Sequence, residues 1–302
     1  MKTLILKIIL FLAAHMVLFF GVEALITHKM KNGFRVTFQN DWHDLKNHNA
    51  DIVFIGSSRI WVEVNVFEVS KKFHAKAEIV GQDGQTIDML WEKFKRYADV
   101  NATPKEIYVQ CDPLFVTMRR NLYNFNDFKS YLFMDRYDIG NLKEKEGYKL
   151  EYKYVPLLAV GTQSLDYLLD WQTPKPYAMT HGFVSQDRPW QGDWYHPLKI
   201  ERLKLEGINY LDSFNDYAKA HHIACYFLAP PISWPLYEEM KKDHTVEAKI
   251  AREHLTYLDY NNKKTYNDST LFYNHMHLNK TGVSVFMKQF LEDTVAFKAF
   301  RH

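Results

Sequence analysis

Two short stretches carry residues that together could do acyl-transfer chemistry. The first is Gly56-Ser57-Ser58-Arg59, which directly follows the apolar run Ile52-Val53-Phe54-Ile55. A serine at the turn after such a run projects its hydroxyl beyond the end of a strand. That hydroxyl is a weak nucleophile until a base accepts its proton. The second stretch, Phe272-Tyr273-Asn274-His275-Met276-His277-Leu278-Asn279-Lys280-Thr281-Gly282, offers the base in His277. Each stretch taken singly is ordinary. Gly-Ser-Ser is usually a plain turn or N-cap, and one His among 14 is usually structural or exposed. Arg59 has two readings, a contact to an anionic substrate group or a cation facing solvent or pairing with Asp or Glu. His275 and His277 form His-x-His, which can bind zinc from a strand or loop. No third ligand is spaced for it, so no metal is expected. No P-loop or dinucleotide glycine fingerprint occurs, and no cofactor is implied.

The elements that must position these residues alternate. Apolar, β-branched runs at 51–56, 77–80, 106–111 and 223–228 read as buried parallel strands. Helical spacing occurs at Thr86 to Val100 and at about Ile208 to Ala220. Further helices are expected within 62–73, at roughly 236–260 and at 280–297. Strands alternating with helices predict an α/β domain, a parallel sheet with helices on both faces. Such sheets hold their sites at the carboxyl ends of the strands. Here those ends are Gly56-Ser57-Ser58, Gly81-Gln82-Asp83-Gly84, Asp112-Pro113 and Ala229-Pro230-Pro231.

The first 27 residues differ from the rest. Lys2 and Lys7 precede a run that stays apolar to Ile26, apart from His15 and Glu23. As a helix, Leu4 to Ile26 spans about 35 Å at about 1.5 Å per residue, matching a hydrocarbon core of about 30 Å. We expect a signal-anchor transmembrane helix over 1–27, a linker over 28–50 and the domain over 51–302. The domain is expected outside the cytoplasm; a cleaved signal peptide with a secreted domain is the alternative. An aromatic-rich stretch at about 114–201, with Tyr123, Phe125, Phe128, Tyr131, Phe133, Tyr137, Trp171, Trp190, Trp194 and Tyr195, interrupts the alternation. It reads as an insertion that either packs over the sheet edge or forms a lid or groove for sugar rings, with Trp190 and Trp194 binding substrate.

Net charge is only +2, with cations and anions interspersed, which argues against nucleic acid as a partner. Cys111 and Cys225 read as inert core thiols, with a disulfide between them as the alternative.

In order and placement, three blocks of the chain resemble the SGNH/GDSL hydrolase superfamily. Gly56-Ser57-Ser58 is similar to its first block, with Ser58 at the nucleophile and Ser57 where Asp is common. Gly81 to Thr86 resembles the second, whose glycine N–H helps form an oxyanion hole; Gly84 is the better match. His277-Leu278-Asn279-x-x-Gly282 resembles the last block, whose His is the base. The Gly-Ser-Ser variant with an N-terminal anchor looks most like the DltD-like, membrane-anchored branch. The resemblance implies a three-layer sandwich around a central parallel sheet, of SGNH/flavodoxin-like type. Asn274 stands where the family has Asp and would orient the imidazole by accepting its N–H, as a dyad or with help from Asp268. Asp112 stands where the family offers an Asn oxyanion donor, and serves there only if protonated; otherwise it points elsewhere or has another role.

The resemblance implies a serine esterase or O-acyltransferase acting on acyl esters of cell-envelope glycans or polymers. A membrane-bound O-acyltransferase is the partner it implies. The alternative is a non-catalytic binding or partner protein of the same fold, and a weaker third reading is a cytoplasmic lipase.

Overall fold

The computed structural model describes residues 2–31 (side chains for 2–25), 47–81, 84–117, 183, 186–195 and 205–301. The chain divides into two compact units, Met1–His43 with Arg120–Lys175, and Asp44–Arg119 with Pro176–His302.

In the first unit, α1 (Lys2–Lys31) contains the apolar span Lys2–Leu25, with mean hydropathy 2.4. Its large apolar side chains, such as Leu10, Val17 and Leu18, face outward. The helix is long and apolar enough to cross a bilayer and could anchor the protein in a membrane.

The second unit is α/β. Its sheet contains β1 (Ile52–Gly56), β2 (Ala77–Gly81), β3 (Glu106–Gln110), β4 (Ala224–Ala229) and β5 (Tyr257–Asp259), all parallel, in the order β2-β1-β3-β4-β5. Chain order reverses between β1 and β3, and the crevice outside the carboxyl ends at such a reversal is where open α/β sheets bind ligands. β1 and β3 are buried at every residue, β1 as its unbroken apolar run requires and β3 with Glu106 and Gln110 buried at its ends. Alternate residues serve opposite faces. Val53, Ile55, Ile107, Val109 and Phe227 join one core with Leu90 and Phe94 of α4 (Ile87–Val100). Leu211 and Phe214 of α5 (Tyr210–Ala220) complete that core. On the other face Phe54, Tyr108 and Tyr226 stack, with Tyr108 4.9 Å from Phe54 and 4.8 Å from Tyr226. Phe290 and Phe297 cover that stack.

Between the strands run α2 (Ser58–Glu63), α3 (Val66–Phe73), α6 (Trp234–Met240), α7 (Thr245–Arg252), α8 (Lys263–Tyr266) and α9 (Lys280–Glu292). The helix expected at 236–260 is two helices followed by β5. The chain turns at Lys241-Lys242-Asp243-His244, and Tyr257–Asp259 runs extended because it pairs parallel with β4. A hairpin that sequence reasoning did not identify, β6 (Phe272–Asn274) with β7 (His277–Leu278), precedes α9. Cys111 and Cys225 are free thiols, which excludes the disulfide alternative. Burial pushes both thiols well above their ordinary titration range, so they are inert core groups.

Candidate functional site

The sheet brings the two ends of the unit together at the reversal point. Ser58 opens α2 directly after β1, and His277 opens β7. Ser58 Oγ lies 2.8 Å from His277 Nε2. Both side chains are half-buried, so the pair keeps contact with solvent.

His277 is positioned by its hairpin. Asn279 caps α9: its Oδ1 accepts from the N–H groups of Thr281 (3.0 Å) and Gly282 (3.1 Å). Its Nδ2 donates to the carbonyls of Thr270 (2.7 Å) and Phe272 (3.2 Å). One amide thus satisfies the helix end and holds the hairpin to it. Gly282 is glycine because a Cβ there would run into the carbonyl of Leu271. The Tyr273 ring stacks on the imidazole with centroids 5.3 Å apart.

Asn274 supplies the third member. Its Oδ1 lies 3.0 Å from His277 Nδ1 and also accepts the Met276 N–H at 2.9 Å. The second bond decides the first. A backbone N–H is only a donor, so it holds the amide oxygen toward the ring. Nδ1 must then carry the proton, which leaves the Nε2 lone pair for the Ser58 hydroxyl. An amide in this place is damaging when it imposes the wrong tautomer; the Met276 N–H prevents that here. Burial, and then the nearby Arg59 guanidinium, push His277 down to about 3. The ring is therefore neutral at physiological pH and available to accept a proton. Asp268 is engaged elsewhere, its carboxylate capping the turn at Thr270.

Of the readings open for Arg59, the geometry shows the pairing with a carboxylate. Arg59 is 2% exposed, and its Nη1 donates to Asp112 Oδ2 at 2.7 Å. Its Nη2 donates to the carbonyl of Pro230, and its Nε faces Glu63 Oε1 at 3.9 Å. Asp112 is not an oxyanion donor. Its Oδ2 also accepts from Gln110 Nε2 at 2.8 Å, and its Oδ1 accepts the N–H groups of Leu114 and Phe115, both at 3.1 Å.

Gln110, which sequence reasoning passed over, closes the arrangement. Its Oε1 accepts from the Ser57 N–H at 2.8 Å and from Ser57 Oγ at 2.9 Å. Gly56 makes room for it. A Cβ at Gly56 would lie 2.7 Å from Gln110 Oε1 and would collide with Ile60. The reason for this glycine is space.

Glu63 is fully buried at the far end of α2. Burial raises its carboxyl well above the ordinary range, against the opposing pull of Arg59 and the Leu278 N–H. Gly84, in the turn before α4, has φ 64°, a left-handed conformation suited to glycine. Its neighbours Gln82 and Asp83 lie outside the described residues.

The segment 186–195 docks on the hairpin. Gln191 N–H donates to the Tyr273 carbonyl at 2.9 Å, and Lys280 N–H donates to Gln186 at 2.9 Å. His275 points away from His277, into this segment. It lies 2.6 Å from Ser233 Oγ and 2.8 Å from the Asp193 carbonyl. Its ring sits 4.9 Å from Trp190 and 6.0 Å from Trp194. The two histidines therefore do not converge, and no cluster of metal-ligating side chains occurs among the described residues. Trp190 and Trp194 meet edge to face at 4.9 Å, and both are half-buried. Tyr123, Phe125, Phe128, Tyr131, Phe133, Tyr137 and Trp171 lie outside the described residues.

Chemically, an alcohol hydrogen-bonded to a neutral, correctly tautomerised imidazole can attack a carbonyl or phosphonyl centre. No family model matches the chain, and no curated protein matches it significantly, so the case for its chemistry rests on this geometry.

Proposed function

We propose that the chain is a membrane-anchored serine esterase or O-acyltransferase acting on acyl esters of cell-envelope glycans or polymers. In this reading the α/β unit is a three-layer sandwich of the SGNH type, carried on the extracytoplasmic side by α1. The observation that carries the reading is the 2.8 Å contact between Ser58 Oγ and His277 Nε2 at the strand-order reversal.

His277 takes the Ser58 proton as Oγ bonds to the acyl carbon. The Ser58 and Gly84 N–H groups stabilise the oxyanion. The imidazolium returns its proton to the leaving alcohol as the ester C–O bond breaks, and Ser58 is left acylated. Water or a glycan hydroxyl then gives its proton to His277 as its oxygen bonds to the acyl carbon, and the imidazolium returns that proton to Ser58 Oγ as the acyl-enzyme C–O bond breaks. Water makes the protein an esterase; a sugar hydroxyl makes it a transferase, with a membrane-bound O-acyltransferase as the natural source of acyl groups. Trp190 and Trp194, held beside the hairpin, offer apolar faces for sugar rings.

One observation favours a second reading, a non-catalytic partner of the same fold. With Asp112 committed to Arg59, the place of the third oxyanion donor is taken by an acceptor.

An alkyl fluorophosphonate separates the two. Covalent labelling at Ser58, lost in Ser58→Ala and in His277→Ala, supports the enzyme. A folded wild-type chain that stays unlabelled refutes it and leaves the binding protein.

A further inference from the structure

Ser58 is flanked by two residues that are both tied to the end of β3, across 53 positions of sequence. On one side Ser57 gives two hydrogen bonds to Gln110 Oε1. On the other Arg59 donates to Asp112. Gln110 Nε2 joins the two halves by donating to the same Asp112 oxygen, Oδ2, that Arg59 reaches. Gln110, Asp112 and Arg59 are 1%, 4% and 2% exposed, so water does not compete for these bonds.

The polarity of this ring is set by chemistry. Arg59 is only a donor and fixes Asp112 as acceptor. A carboxylate that only accepts must meet the NH2 end of the Gln110 carboxamide. The carboxamide oxygen then faces Ser57, whose N–H and hydroxyl both donate to it. We propose that Gln110 is a positioning residue for the nucleophile: gripped by Asp112 at one end, it holds Ser57 at the other and so sets where Ser58 Oγ stands relative to His277. This rests on Ser58 and His277 being the reacting pair.

The proposal assigns work to residues with no path to substrate. It also explains Gly56, because the Gln110 side chain lies across the backbone where a Cβ would go. A buried amide needs partners in any role; here the partners are Ser57, which donates to its oxygen, and Asp112, which accepts from its NH2, one beside the nucleophile and the other paired with Arg59.

The test uses the full chain with three variants. Gln110→Met keeps length and bulk but removes both ends of the grip. Ser57→Ala removes only the hydroxyl bond and leaves the N–H bond. The third is the double variant. A misplacement of about 1 Å costs about 100-fold in rate, so fluorophosphonate labelling of Gln110→Met should slow by about 10- to 100-fold. Ser57→Ala should slow it less than Gln110→Met does. If Gln110 acts through Ser57, the double variant labels no more slowly than Gln110→Met alone. Multiplying effects would overturn the proposal, as would a Gln110→Met chain that labels at the wild-type rate.

A second readout does not depend on labelling. The 15N shift of His277 Nε2 reports its hydrogen bond to Ser58, and Gln110→Met should move it toward the unbonded value. An unchanged shift overturns the positioning role even if the wild type proves unreactive. An unlabelled wild type whose Nε2 signal still responds to Gln110→Met refutes the enzymatic reading and keeps the structural coupling.

Discussion

Asn274→Asp should make the protein a faster nucleophile at neutral pH. The Asn274 Oδ1 lies 3.0 Å from His277 Nδ1, so a carboxylate in place of the amide would put a negative charge about 4 Å from the centre of the imidazolium. At an effective dielectric of about 20 that interaction is about 4 kcal/mol, or about three pKa units at about 1.4 kcal/mol each. His277, held down to about 3 by burial and Arg59, would rise to about 6. A base titrating closer to the working pH holds its proton better in the transition state, and a gain of about tenfold or more is expected. The assay is the second-order rate of fluorophosphonate labelling against pH, paired with an NMR titration of the His277 ring. The wild-type rate should stay flat from pH 8 to about pH 4, because the ring is neutral throughout. The Asn274→Asp rate should be higher at pH 7 and fall through about pH 6. A wild-type inflection near the ordinary histidine value would refute the reasoning. So would a variant whose His277 titrates where the wild type does.

Three further outcomes follow from described geometry. Gly56→Ala forces a methyl into the space of Gln110 and Ile60, and should cost about 1–3 kcal/mol by urea unfolding as well as most Ser58 labelling. Acid should destabilise the fold through His277. Its folded value lies below the ordinary one, so its contribution is complete above about pH 6.5 and declines as pH falls toward 3, by up to about 1.4 kcal/mol per unit. Glu63 works in the opposite sense: its raised carboxyl favours the fold below its ordinary value and loses that as pH climbs through the folded one. Unfolding of His277→Gln at pH 7 and pH 5 should therefore show a smaller difference than the wild type shows. Finally, Trp190→Ala and Trp194→Ala should lower transfer to a saccharide acceptor severalfold while leaving fluorophosphonate labelling of Ser58 within about threefold, by parallel rate measurements. Equal loss in both assays would give the tryptophans a structural role instead.

The serine turn and the histidine loop were legible because their signals are local. A β-branched run ending at Gly56 reads as a strand and its exit, and the stretch before the last apolar helix reads as a loop, although its β6–β7 pairing was not read. The helix break at 241–244 and the short β5 were not legible. A three-residue strand makes no periodic pattern, and its pairing with β4 comes from tertiary contact. Arg59 was left open between readings because sequence gives a charge but not its burial; only the folded sheet brings Asp112 and the Pro230 carbonyl around it. Gln110 was missed for a related reason. Nothing within several residues of it says that its amide will meet Ser57, because that meeting depends on the register of β1 against β3.

The proton-sharing pair joins positions 219 residues apart. A chain still emerging from synthesis or translocation holds its serine long before its imidazole arrives. The hydroxyl is then no more reactive than any other on the polypeptide. Only when the hairpin has closed against α9, and that helix lies over the sheet, does the alcohol acquire its base. Under the proposed chemistry, reactivity at residue 58 is thus a late signal of completed folding, and nascent or misfolded copies would be chemically silent.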